Sequence, residues 1–197
     1  KGEVETIEFN KDKGVGITVY LGQRRGQAST SDFSADALKR TVDKALAIAR
    51  FTAEDDCAGL PDADRLAKVQ VDPQLYFPWA ISVDEAMELA RACEAAALAV
   101  DARITNSEGA STSTQQSQFI HANSLGFMGG YPTSRHSVSC AVIAEERGAM
   151  QRDYWYTTAR AGADLDPVET VGRRAGERTV RRLNARKLDT RQCPVLF

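Results

Sequence analysis

RHSVSCAVIA, residues 135–144, decides how the chain is read. Serine, histidine and cysteine stand within a few positions of one another, the ingredients of a nucleophilic enzyme. The alternation of the same residues is that of a strand. On a strand, His136, Val138, Cys140 and Val142 share one face, and Ser137, Ser139, Ala141 and Ile143 take the other. His136 and Cys140 are then ~13 Å apart at ~3.3 Å per residue, well beyond the ~3 Å over which a base activates a nucleophile. Ser137 and Ser139 point away from the imidazole. The stretch therefore reads as a sheet strand with small polar residues on its less buried face. A nucleophile here needs a partner from elsewhere, and His121 is the second of only two histidines.

Around this strand lie further stretches of β character separated by Gly and Asn: ITNSEGASTST, SQFIHA, GFMGGY and MQRDYWYTT. Their order and short turns predict an antiparallel meander. A helix precedes it, with Ser82 and Glu85 as a capping box and Val83, Ala86, Met87, Ala90, Cys93 and Ala97 on its apolar side, where Glu94 intrudes. Another follows from DPVE, with Asp166 predicted as cap, Pro167 in the first turn and Glu169 bonding back to the cap. Its buried arc is Val168, Val171, Gly172, Ala175, Gly176, Thr179 and Leu183, and the glycines four apart allow close approach of a neighbour. Arg173, Arg174, Arg178 and Arg181 lie opposite.

Towards the N-terminus the rhythm is β-β-β-α. GVGITVYL alternates Val15, Ile17, Val19 and Leu21 with smaller or polar residues, and ETIEF and QASTS are weaker strands beside it. NKDKG and GQRRG are turn material. Ser34 caps a helix with Leu38, Val42, Ala45, Leu46 and Ala49 on one side. From Thr52 to Ala80 the pattern dissolves into an extended connection with aromatic anchors. The expected organisation is an N-terminal subdomain at 1–60, a connection at 61–81, a helix–meander–helix unit at 82–191, and at 192–197 the start of a further domain. Strands grouped together with helices on one face define an α+β two-layer sandwich with mostly antiparallel sheets. CPVLF reads as the opening of a buried strand, and Lys1 as an internal residue of a longer protein.

Composition excludes several classes. With 197 residues, 43% of them hydrophobic, the chain can bury a substantial core, and 25 basic against 27 acidic residues leave no polycation signature. No apolar run is long enough to span a bilayer, and the charged start KGEVETIEFN does not resemble a signal peptide. Cys57, Cys93, Cys140 and Cys193 are too dispersed for a disulfide scaffold, which places the chain in a reducing compartment, the cytoplasm by default. No HExxH, CxxC or paired histidine supplies a zinc site, and GxGxxG and the P-loop are absent. The segment from Arg173 to Arg191 holds seven arginines and Lys187 against Glu177 and Asp189. Without interleaved aromatics it reads as a solvated helix face or a subunit contact more than as a nucleic-acid surface. Tyr154, Trp155 and Tyr156 alternate faces, and packing or an interface accounts for them equally.

VETIEFNKDKGVGITVYLGQRRGQASTSDFSADALKRTV, ALAIARFTAEDDCAGLPD, RITNSEGAS, TSRHSVSCAVIAE, MQRDYWYTTAR and RKLDTRQCPVLF together resemble the PmbA branch, also called TldE, of the TldD/PmbA proteins, modulators of DNA gyrase by name. The resemblance runs along nearly the whole chain in the same segment order. It implies the N-terminal α/β region of a cytoplasmic subunit that pairs with a TldD-type partner in a heterodimeric zinc metalloprotease. The activities implied are degradation of unfolded peptides, maturation of a microcin precursor and removal of an antitoxin. The HExxxH zinc motif belongs to the C-terminal domain of the TldD-type subunit. No catalytic, metal-binding or cofactor-binding residue is therefore carried onto this chain, and zinc is expected on the partner. The implied partners are the TldD-type subunit and an extended peptide, with a homodimer possible and neither membrane nor nucleic acid expected. Exposed strand edges would hold such a peptide through main-chain hydrogen bonds, with no particular edge singled out. Two competing readings are a self-sufficient hydrolase using Cys140 or a serine with His136 or His121, and a nucleic-acid module using the arginine-rich helix.

Overall fold

Alternation at residues 135–144 belongs to the middle strand of a three-stranded antiparallel sheet. A computed structural model describes residues 2–196. It divides into two units: one of residues 72–120 and 130–196 with residues 2–5, the other of residues 6–71 with 121–129.

Helix α2 (Val83–Leu98) precedes the strands that form a meander with order β3-β4-β5 (Ile104–Ala122, Met128–Glu146, Ala149–Ala159), which lie in the larger unit except at residues 121–122 and 128–129, and α3 (Val168–Arg181) follows. The five predicted β stretches merge into three long strands, because interior glycines are tolerated within them and the chain reverses only where positive φ is available. Between β4 and β5 the reversal is Arg147–Gly148, with φ of 52° and 78° and Glu146 opposite Ala149. Two consecutive positive φ values match the twist of the flanking strands.

One face of the sheet carries the core. Val138, Cys140, Val142 and Ala144 of β4 are all but fully buried, with Cys93 and Ala97 of α2, Val171 and Ala175 of α3, and Ile104 and Leu183. α2 begins as the sequence predicts: Ser82 Oγ accepts from the Glu85 N–H (3.2 Å) and Glu85 accepts from the Ser82 N–H (2.8 Å). Glu94 stays on the buried side, where it accepts from the Gly2 N–H at 2.7 Å. The glycines of α3 face α2. A β carbon on Gly172 would collide with the Cys93 carbonyl, and one on Gly176 would lie 2.7 Å from Ala97 O. The two helices thus pack backbone to backbone.

The predicted cap of α3 is corrected. The residue at the cap position is Pro167 and no side chain caps the helix. Asp166 instead pairs with Arg174 (3.8 Å), and its N–H donates to Thr157 Oγ1 (3.0 Å). The carboxylate is drawn sideways to the guanidinium rather than onto the helix end.

The turn between α2 and β3 is latched by charge. Arg103 binds Asp101 (2.8 Å) and Glu146 (3.3 Å). The hydrogen bonds from the Arg103 side chain and backbone hold the Asp101 carboxyl down at about 2. A depressed carboxylate contributes stability that is complete above its unfolded value near ~4 and is lost as pH falls towards 2. In melts of wild type against Asp101→Asn, the wild-type advantage should therefore hold at pH 5–7 and vanish by about pH 2. A difference unchanged down to that pH would refute the latch.

The smaller unit is a β-hairpin, β1 (Val15–Leu21) and β2 (Arg24–Thr30), covered by α1 (Ala35–Phe51). Ser34 caps α1 as predicted, accepting from the Ala37 N–H. Two expectations change. Residues 5–9, ETIEF, form no strand, so the rhythm is β-β-α, and part of the predicted GQRRG turn belongs to β2. The face of α1 on the sheet is Ala37, Thr41, Ala45 and Ala49, whereas Val42 is 41% exposed. Gly26 explains the change: a side chain there would strike the Ala45 and Ala49 backbone, so only a stripe of small residues fits. Residues 192–196 form no strand, and Phe197 lies outside the described residues. Both units are α+β layers of antiparallel strands with helices on one face.

Candidate functional site

The residues that invite a catalytic reading are held by the fold. His136 is fully buried on the helix-facing side of β4, as alternation predicts. Its Nδ1 lies 2.9 Å from Thr114 Oγ1 of β3, and its Nε2 lies 3.0 Å from the carbonyl oxygen of Phe77. A carbonyl only accepts, so Nε2 carries the proton and donates, which leaves Nδ1 to accept from the Thr114 hydroxyl in the neutral ring. Both nitrogens are spent on structure. The Trp79 indole meets the imidazole edge-on with centroids 5.5 Å apart.

Phe77 and Trp79 belong to an extended strap, residues 72–81, bound to β4 through Ser134. The Ser134 N–H donates to Leu75 O (2.9 Å), its Oγ accepts from the Phe77 N–H (2.8 Å), and its hydroxyl donates to Arg160 O (2.8 Å). Ser134 and His136, two residues apart on one face, are thus the pegs on which the predicted connection is hung. The partners of His136 are 22 and 59 residues away in sequence. Local pattern reading missed them, and the one available signal was Thr114 at a helix-facing position of the neighbouring strand.

Cys140 is buried in the core four residues further along. Its hydrogen bond with the Cys93 thiol and its burial push its own thiol well above the usual range, which makes it a poor nucleophile. Ser137 and Ser139, on the opposite face, pair with Ser113 (2.8 Å) and Ser111 (2.9 Å), and Ser117 pairs with Thr133 (2.7 Å). Hydroxyls thus run in pairs between β3 and β4. Tyr154 and Tyr156 stack on the same open face, 6.2 Å between centroids. His121 packs at 6.0 Å against Phe127 of its own turn. Among the described residues neither histidine bonds a thiol or one of these serines, and the hydroxyl that meets His136 is that of Thr114. Cys57 and Cys193 are exposed free thiols. Among the described residues, no three His, Cys, Asp or Glu side chains converge as a metal site, so no donor set for the zinc implied by the resemblance is found there.

The arginine face of α3 is largely committed to intramolecular contacts. Arg173 pairs with Glu177 (3.3 Å), Arg178 with Asp153 (3.2 Å), and Arg174 with Asp166. The guanidiniums of Arg174 and Arg178 also lie 5.6 and 5.1 Å from the centroid of the Trp155 ring. Arg181 is exposed and has no ion pair among the described residues. With three of four cations engaged, binding to duplex DNA at low salt should be undetectable by fluorescence anisotropy. Salt-sensitive binding abolished by Arg181→Ala would restore the nucleic-acid reading.

A shallow recess of about 500 Å³ beside the start of α2 is lined by Trp79, Ile81, Asp84, Glu85, Glu88 and Leu89. Two of its carboxylates already have partners: Glu85 in the capping box and Glu88 with Arg91 at 2.6 Å. No helix is long and apolar enough to cross a membrane among the described residues.

Comparison with known proteins places this α+β fold in a family. Residues 76–183 match the PmbA/TldA metallopeptidase central domain, and residues 1–49 match domain 1 of the same group. The chain belongs to the PmbA/TldA metallopeptidase family. It is 50% identical over 196 residues to the metalloprotease PmbA of Escherichia coli O157:H7, covering 100% of this chain and 44% of that protein. It is 45% identical over 195 residues to a PmbA homolog of Haemophilus influenzae, covering 99% and 43%. The chain thus spans less than half the length of these relatives. Among solved structures, a candidate modulator of DNA gyrase from Bacteroides thetaiotaomicron superposes with a TM-score of 0.78 at 26% identity, over 89% of this chain and 40% of that one. TldE from Thermococcus kodakarensis shares the fold, with a TM-score of 0.63 at 14% identity, over 91% and 40%.

Proposed function

We propose that this chain is the N-terminal and central part of a PmbA/TldE-type subunit that does not itself cut peptides. It pairs in the cytoplasm with a TldD-type subunit carrying the catalytic zinc and helps bring unfolded or extended peptides to that centre. Degradation of unstructured segments, maturation of a peptide precursor and antitoxin removal are the processes it would serve. One observation carries the assignment of a non-catalytic role: the one buried imidazole has both nitrogens engaged, by Thr114 and by Phe77. The ring is also fully buried, so neither nitrogen meets a substrate. Family membership supplies the metalloprotease context.

The test is an assay of the full-length protein on an unstructured peptide, alone and with a TldD-type partner, with and without a zinc chelator. Hydrolysis is expected only in the mixture, to be lost on chelation and to return with added zinc. Turnover by this protein alone, insensitive to chelator, would favour a self-sufficient hydrolase and end the proposal.

A further inference from the structure

The meander leaves β3 as an outer strand, and its free edge can be mapped residue by residue. Ser111, Ser113 and Ser117 stand opposite Ser139, Ser137 and Thr133, as their hydroxyl contacts show. On β4 the Ser134 N–H points away from β3, towards Leu75 O. Backbone groups of an antiparallel strand alternate in direction, so odd-numbered β4 residues address β3 and are met by odd-numbered β3 residues. Thr112, Thr114, Gln116 and Gln118 therefore turn their N–H and C=O groups out of the sheet. None of these groups bonds another backbone group outside the sheet among the described residues, and residues 113–118 are exposed at every position.

Free edges are ordinarily blunted by charge, proline or irregularity. The other edge of β4, beyond the end of β5, follows this rule. There Pro132, at an outward position, has no N–H to offer, and Ser134 has its N–H taken by Leu75 and its C=O by Arg160 (3.1 Å). β3 does not follow it. Residues 109–122, GASTSTQQSQFIHA, contain no Asp, Glu, Lys, Arg or Pro. The one backbone irregularity, Gly109 at φ 104°, lies before the stretch in question.

We propose that the outer edge of β3, from Thr112 to Gln118, is a strand-addition site for an extended peptide. This rests on the peptide-handling role proposed above and gives it a place. Main-chain bonding accepts any non-proline sequence, and an edge lined by uncharged hydroxyls and amides neither attracts nor repels a charged peptide. Phe119 and Ile120, 53% and 64% exposed at the distal end, offer apolar contact to the incoming side chains. A second copy of the chain is a poorer occupant. Pairing through one strand of small polar side chains buries far less than the ~1,200 Å² of a stable dimer.

The test uses the full-length protein with its TldD-type partner and an unstructured decapeptide. Gln118→Pro removes one outward N–H and leaves the β3–β4 ladder untouched, whereas Gln118→Ala keeps that N–H. The proline variant should raise KM for the decapeptide about five- to tenfold at unchanged kcat, with the alanine variant behaving as wild type. In the wild-type protein, the decapeptide should slow hydrogen exchange of the Thr112, Thr114, Gln116 and Gln118 amides. That measurement decides the matter should the proline variant fail to fold. Unaltered KM together with unaltered exchange in an active assembly would overturn the edge site and leave the subunit reading standing. An inactive wild-type assembly would instead remove the reading on which it rests. A light-scattering mass that falls from dimer to monomer on Gln118→Pro would overturn the peptide as occupant in favour of a second copy.

Discussion

His136→Ala is expected to destabilise the β3–β4–β5 unit by about 3 kcal/mol, because it removes buried volume and strands hydrogen-bonding groups at once. The ring is fully buried, and Trp79 leans on it edge-on. Its loss opens a cavity and leaves the Phe77 carbonyl without its donor and the Thr114 hydroxyl without its acceptor. An acceptor orphaned where water cannot replace its donor costs about 1–3 kcal/mol, and less for a part-exposed carbonyl such as that of Phe77. Urea unfolding should show the loss, and hydrogen exchange should accelerate at the Phe77 and Ser134 amides as the strap comes away from β4. A catalytic histidine predicts the opposite pattern, with near-wild-type stability and abolished turnover. Stability within about 0.5 kcal/mol of wild type would contradict the structural role.

Gly172→Ala is expected to cost about 2 kcal/mol although alanine is the better helix former. The substitution gains up to ~1 kcal/mol of helix propensity. Against this, the new methyl group would collide with the Cys93 carbonyl and lie 3.0 Å from the Ala97 nitrogen, both backbone atoms of α2. Backbone cannot swing aside, so the helices must separate, and overpacking of a buried contact typically costs about 1–3 kcal/mol and sometimes more. A fall in Tm of about 4–8 °C follows for a chain of this size. Trimming Ala97 to glycine should not rescue the variant, because the obstruction is main chain. Gly176→Ala should be milder, since part of its obstruction is the Val100 side chain, which can move. A melting temperature at or above wild type for Gly172→Ala would show that α2 and α3 are not in backbone contact.

These two sites mark what the sequence does and does not disclose. Gly172 and Gly176 were legible because a spacing of four on a helix is a local signal whose purpose, close approach, needs no knowledge of the neighbour. The Ser82–Glu85 box and the alternation of β4 were legible for the same reason. The Asp166 cap is not legible because Arg174, which draws its carboxylate away from the helix end, lies a further two turns along the chain and is in place only once α3 is formed. Val42 lies off the packed face because Gly26, on another element, brings the Ala45 and Ala49 backbone too close for larger side chains. For His136 the sequence disclosed the face but not the partners, since hydrogen bonds to Thr114 and Phe77 are settled by register and by the path of the strap. The β3 edge was illegible in a similar way. Its composition is plain to see, but whether a strand lies inside or outside a sheet is decided by topology.

The two tryptophans of this chain sit at different working parts of the larger unit. Trp79 is stapled to the strap beside an imidazole, while the Trp155 ring lies beneath the Arg174 and Arg178 guanidiniums of α3. Their emission is thereby exposed to two distinct quenching environments. Replacing one indole with phenylalanine gives an optical probe of strap release, and replacing the other gives a probe of helix undocking, so the order of the two events is accessible without a label.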